Sequence, residues 1–80
     1  MFYAYVLKSI KHDYFYKGHC QDLDRRIAQH NSGMTKSIKS HIPFELVYCE
    51  RFETEEEAIV REKYFKNAAG RKFLKIKLAS

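Results

Sequence analysis

The chain has 80 residues, with 15 Lys and Arg against 10 Asp and Glu and a formal charge of +5. A domain this short buries only roughly 60–65% of its unfolded surface, and its 45% hydrophobic residues, including six Tyr and six Phe, meet that demand and exclude a disordered chain. The basic excess suits a polyanion such as nucleic acid, and no apolar run approaches the ~20 residues that cross a membrane.

Phe2-Tyr3-Ala4-Tyr5-Val6-Leu7 is rich in aromatic and β-branched residues and apolar on both faces, which predicts a strand covered on both sides. Ser9 to Asp13 is turn-like, and Tyr14-Phe15-Tyr16-Lys17-Gly18 follows as a second strand, completing a β-hairpin. In the expected register Tyr5 faces Tyr16 and Leu7 faces Tyr14, with two phenols side by side on one face. Gly18 has no side chain, so a ligand or a helix can approach the backbone there.

Asp22 reads as the N-cap of a helix running to about Asn31, with Asn31-Ser32-Gly33 as its stop. At about 100° per residue, Leu23 and Ile27 mark the buried stripe of this helix. Arg26 and His30 lie i, i+4 on one flank of it, and Arg25 points into solvent. A long arginine stem beside a core would look the same. Ser32 to Ile42 reads as a loop carrying Lys36, Lys39 and His41, and Pro43 introduces a third strand, Phe44 to Phe52.

Thr54-Glu55-Glu56-Glu57 is a capping box. The helix it opens is expected to reach about Ala69, with Gly70 as its C-terminal stop. Ala58, Ile59, Phe65 and Ala69 mark its inner face, and Glu62 falls inside that arc. A carboxylate there must be paired, coordinated or neutralised, because burying it alone costs several kcal/mol. An ion pair and a divalent cation both answer the requirement. The tail, Arg71 to Leu78, alternates apolar residues with lysines and reads equally as strand or helix.

Other chemistries lack their signatures. Cys20 and Cys49 are far apart with no CxxC spacing, which favours reduced core thiols over zinc or a disulfide framework. No nucleophile elbow, P-loop or dinucleotide fingerprint is present. No secretory signal is legible, since Lys8 interrupts the apolar start, so a soluble cytoplasmic protein is expected. Residues 1–80 read as a single domain without repeats or linkers.

Taken in order, Tyr3-Ala4-Tyr5, Tyr16-Lys17-Gly18, Asp22-Leu23-Asp24-Arg25-Arg26 with His30-Asn31-Ser32-Gly33, and Ala58-Ile59-Val60-Arg61-Glu62 resemble the GIY-YIG nuclease superfamily. The likeness is to its small stand-alone bacterial members, which are similar to the catalytic domain of the excinuclease of nucleotide excision repair. It implies an α/β (α+β) fold of order β-β-α-β-α-α, a three-stranded antiparallel sheet flanked by helices, and hence a helical tail. It also implies a metal-dependent endonuclease acting on duplex or branched DNA in repair or processing, with one Mg2+ or Mn2+. The family's two motif tyrosines fall on Tyr5 and Tyr16, its catalytic arginine on Arg26 and its metal-binding glutamate on Glu62. His30 falls on a further active-site position, and His19 follows the second-motif glycine. Tyr3 and Ala4 replace Gly-Ile in the first motif, and Lys17 replaces the middle residue of the second.

On this reading Glu62 holds the metal, Arg26 meets a phosphate oxygen, and a tyrosine takes the proton of the attacking water. Its pKa would be drawn down by Arg26, His19 and the metal. Lys36, Lys39 and His41 are expected to touch the phosphate backbone. The alternative is a non-catalytic nucleic-acid-binding module that keeps the fold. No membrane partner is expected, and a monomer is favoured over an oligomer.

Overall fold

The computed structural model describes residues 1–79. Strand β1 (Phe2–Ser9) is central in an antiparallel sheet of order β2-β1-β3, with β2 at Phe15–Cys20 and β3 at Phe44–Phe52. Ala4, Tyr5, Val6 and Leu7 are all fully buried, as a two-sided apolar run requires. The pleat sends Tyr5 and Leu7 to one face, where they pack with Cys20, Ile38 and Phe44. Ala4 and Val6 go to the other, where they meet Phe65 and Leu74.

The hairpin register differs from the expected one by two residues. Tyr5 pairs with Gly18 and Leu7 with Tyr16. The turn takes in Tyr14 as well, because Ser9 organises it. The buried Ser9 hydroxyl accepts from the backbone of Lys11 and His12 at 3.2 and 3.1 Å and donates to the His41 carbonyl at 2.6 Å.

Helix α1 (Leu23–Asn31) covers the first face, with the Asp22 side chain accepting from Arg25 N at 3.2 Å. Gly33 ends this region at φ 84°, a left-handed conformation that glycine adopts without a Cβ penalty. The next segment was expected as a loop but holds a 3-10 turn at Lys36–His41, seated by the buried Ile38. Asn31 ties the end of α1 to the start of β3, donating to the Phe44 carbonyl at 3.0 Å and accepting from Phe44 N at 2.7 Å.

The second face is covered by α2 (Glu55–Lys66) and α3 (Ala68–Ala79). The capping box forms as read, with Thr54 and Glu57 bonded reciprocally. Such a cap is worth about 1 kcal/mol. The expected end at Gly70 is wrong. The helix stops at Lys66, and Asn67 starts α3 by accepting from Gly70 N at 2.8 Å. Ala69 therefore belongs to α3, where it is exposed, and not to the inner face of α2.

Gly70 is a packing residue. A Cβ there would stand 1.6 Å from the Tyr64 carbonyl oxygen, so the first turn of α3 rests directly on the end of α2. Gly70→Ala is expected to destabilise the fold by about 3 kcal/mol or more, since backbone offers no rotamer escape. In a thermal melt that is a fall on the order of 15 °C. An unchanged midpoint would mean that the two helices do not meet in this way.

Candidate active site

Four of the sequence-predicted residues converge on the α1 face of the sheet. Tyr5 is fully buried, and its hydroxyl lies 2.9 Å from Nε2 of the buried His30. The other imidazole nitrogen, Nδ1, is 3.1 Å from Thr35 Oγ1. Tyr16 closes the group, its ring centroid 6.3 Å from Tyr5 and 4.7 Å from His30. The two phenols do share a face, though Tyr16 stands diagonal to Tyr5 and not opposite it.

Gly18 permits this arrangement. A Cβ at that position would lie 2.6 Å from the Tyr5 hydroxyl, so the phenol lies across the bare glycine backbone. The space expected for a ligand or helix is taken by Tyr5 itself.

Arg26 extends from the exposed flank of α1. Its positive charge is felt at Tyr5, Cys20 and His30 alike, which makes it the cation of this cluster. Burial, followed by the same charge, holds His30 below the ordinary imidazole range, so the ring is neutral. Without the charge of a metal ion, the Tyr5 phenol is not drawn down. Burial and the neighbouring Tyr16 raise its pKa, and Arg26 only opposes them. A neutral imidazole carries one donor and one acceptor nitrogen, so in the tautomer where Tyr5 donates to Nε2, Nδ1 donates to Thr35.

Glu62 lies elsewhere. Alternation along β2 turns Tyr16 and Gly18 to the first face and Lys17 and His19 to the second, where α2 packs. There His19 Nδ1 donates to Glu62 Oε1 at 2.7 Å, and Lys66 Nζ to Oε2 at 2.7 Å. Burial works against ionisation of Glu62, and those two hydrogen bonds overcome it, leaving the carboxyl below its usual range. The expected convergence of Glu62 on the phenols is thus not a direct contact. The two clusters stand on opposite faces of edge strand β2, joined through its residues 16–19. His19 accordingly serves Glu62 on the second face.

The basic turn is divided. Lys36 and Lys39 are exposed, whereas His41 is stacked on Tyr14 at 3.9 Å and 6° and lies 3.1 Å from Nδ1 of His12. Two positioning groups escaped the sequence reading. Thr35 gives no signal beyond being a hydroxyl residue in a loop. Arg61, named in sequence only as part of the Ala58 to Glu62 motif, donates to both Glu50 oxygens at 2.7 and 3.1 Å. Its guanidinium also lies 4.5 Å from the Tyr64 ring centre and 4.9 Å from that of Phe73. This clamp ties α2 to β3 and α3 beside Glu62. Both cysteines are free, Cys20 being buried.

A single Glu62 carboxylate suits a hard divalent ion, which commonly takes one or two carboxylates and completes its shell with waters and substrate phosphates. His19 is the kind of outer partner that orients such a ligand. Lys66, whose side chain is 55% exposed, can swing from Oε2 into solvent. No group of three or more His, Cys, Asp or Glu is placed to form an all-protein cage among the described residues.

Comparison with known proteins agrees with the fold and the motif order. The GIY-YIG catalytic domain family matches residues 1–75, and the chain belongs to that family. The particular relatives carry UPF0213 names. UPF0213 protein SSP2268 of Staphylococcus saprophyticus is 39% identical over 75 residues, covering 92% of this chain and 90% of the relative. UPF0213 protein YazA of Bacillus subtilis is 38% identical over 71 residues, covering 88% and 71%. The solution NMR structure of UPF0213 protein BH0048 from Bacillus halodurans superposes with a TM-score of 0.54 at 35% identity, covering 95% of this chain and 82% of that one. The family is one of nucleases, which generally use divalent metal ions. No helix among the described residues is long and apolar enough to cross a membrane.

Proposed function

We propose that this chain is a metal-dependent DNA endonuclease that hydrolyses phosphodiester bonds at the β2 edge, with Tyr5, Tyr16, Arg26, His30 and Glu62 as its working residues. The observation that carries this reading is the buried Tyr5–His30–Thr35 hydrogen-bond chain under the charge of Arg26. A buried phenol needs some hydrogen-bond partner, and a neutral imidazole is one that can also take its proton.

The raised pKa means that Tyr5 is no standing phenolate. It can still act as a relay. Tyr5 is fully buried, so Tyr16 must swing aside to admit the attacking water. As that water gives its proton to the Tyr5 oxygen, the phenol proton passes to His30 Nε2. Charge stays balanced, and Thr35 receives the Nδ1 hydrogen bond that steadies the ring. Arg26 donates to a non-bridging phosphate oxygen as negative charge builds there, with the planar fork that suits phosphate. Tyr16, half-buried at the mouth of the group, positions the phosphate. Glu62, oriented by His19, would hold Mg2+ or Mn2+, which supplies charge neutralisation and a more acidic bound water. Lys36 and Lys39 extend the positive surface along the backbone. His41, occupied by Tyr14 and His12, contributes by holding the turn in place.

Tyr5→Phe separates this reading from a binding module. It removes the relay proton and keeps the ring over Gly18. With a nicked-circle assay under single-turnover conditions, cleavage is expected to fall on the order of 10²–10³-fold. Tyr16→Phe is expected to cost roughly ten-fold. Equal rates for wild type and Tyr5→Phe would remove the proposed role of the buried chain.

A further inference from the structure

The second face of β2 carries a feature that the cleavage reading leaves unused. Between β2 and α3 lies a groove of about 480 Å³ lined by Phe15, Lys17, Arg71, Leu74, Lys75 and Leu78. Its charged lining is three cations against one carboxylate, Asp13. Its floor is apolar: Leu74 is buried, and Phe15 and Leu78 are half-buried. Lys8 and Lys17 Nζ both stand over the Phe15 ring, 5.8 and 6.0 Å from its centre, so a base stacking there would displace an ammonium towards its phosphate.

Like charges gathered over apolar surface repel one another without return from the fold itself. Burial, then Arg71 and Lys66, pushes the Lys17 pKa below that of an ordinary lysine. A bound anion relieves that strain. The apolar floor says what kind of anion. A duplex offers phosphates with its bases already stacked and paired, so it has nothing to place on Phe15, Leu74 and Leu78. Unpaired nucleotides offer both parts: phosphates for the cations and a base face for the ring.

We infer that the groove between β2 and α3 binds a single-stranded nucleic-acid segment continuous with the strand being cut. The proposal rests on the nuclease reading and specifies its substrate. Tyr16 and Lys17 are neighbours on one edge strand and project to opposite faces, so a strand leaving the phenols over that edge meets Lys17 next. A rigid duplex does not turn from one face of a sheet to the other at such an edge, and a flexible single strand does. The groove therefore selects substrates with an unpaired arm beside the cleavage point.

The test is fluorescence-anisotropy binding, in a chelator so that cutting does not intervene, of an oligothymidine and of a duplex of equal length. Wild type is compared with Arg71→Gln/Lys75→Gln, both positions being exposed, so that the fold is retained. The double variant is expected to bind the single strand about ten-fold more weakly. Its slope of log affinity against log salt should shrink by roughly 1.4, the value for two lost phosphate contacts on a single strand. Duplex affinity should move less than about two-fold. Phe15→Leu should weaken single-strand binding several-fold with the salt slope unchanged. Unchanged single-strand affinity in the double variant overturns the groove assignment, and so does an equal loss on duplex. A wild-type chain that binds duplex but no single strand overturns it too, leaving the nuclease reading in place. Failure of wild type to bind either form overturns both.

Discussion

Glu62→Ala is expected to abolish metal-dependent cleavage, by at least on the order of 10³-fold, while DNA affinity measured in a chelator stays within about two-fold. The expectation follows from what holds Glu62. Its carboxylate is 16% exposed, oriented by His19 through Oε1 and paired with Lys66 through Oε2. Neither partner completes a core, and the i, i+4 pair with a half-exposed lysine adds only about 0.5 kcal/mol. A structural role would therefore make the substitution mild in every assay. A metal-holding role makes it mild in folding and severe in turnover. A melt within a few degrees of wild type, together with lost cleavage in both Mg2+ and Mn2+, is the outcome expected. Cleavage retained by Glu62→Ala would reduce Glu62 to a surface ion pair.

The second large effect is expected at Arg26. Arg26→Ala should slow cleavage on the order of 10²–10³-fold, and Arg25→Ala should stay within about two-fold of wild type. The two are neighbours of the same chemistry, so net charge and non-specific attraction change equally in both. Only Arg26 acts on Tyr5, Cys20 and His30. The difference isolates a positioned guanidinium from a merely basic surface. Arg26→Lys keeps the charge and loses the fork, and should recover only part of the rate. Equal losses at Arg25 and Arg26 would show that bulk charge is being measured.

Local rules carried the sequence far where the chemistry is local. Asp22 and Thr54 announce helix starts because a side-chain oxygen satisfies an orphan N–H within three residues. The helical wheel set Arg26 and His30 on one flank of the buried stripe, away from Arg25, and turned Glu62 inward. Glu62 is 16% exposed, and His30 is buried more deeply than its flank position suggests. What stayed illegible depends on tertiary approach. Gly70 looks like a helix stop, and only the Tyr64 carbonyl pressed against it reveals packing. The hairpin register depends on Ser9, whose hydroxyl reaches His41, 32 residues away. Pleat alternation along β2 could have placed His19 and Lys17 opposite Tyr16. The expectation that Glu62 meets the phenols set that alternation aside.

The direction of the Tyr5 shift was also beyond the sequence. A cation nearby argues for a lowered phenol pKa, yet in the metal-free chain full burial is the larger influence. That result moves the proposed chemistry from a standing phenolate to a concerted transfer through His30. It also ties Thr35, an unremarked hydroxyl, to the same group.

The most direct measurement is single-turnover nicking of plain and branched DNA by wild type and Glu62→Ala, each with Mn2+ and with a chelator. Breakage by wild type in Mn2+ alone, with no product from the variant at equal DNA occupancy, is the result expected. DNA bound by wild type and left uncut in Mn2+ and Mg2+ alike would contradict it, and would make this chain a binding module on a nuclease fold.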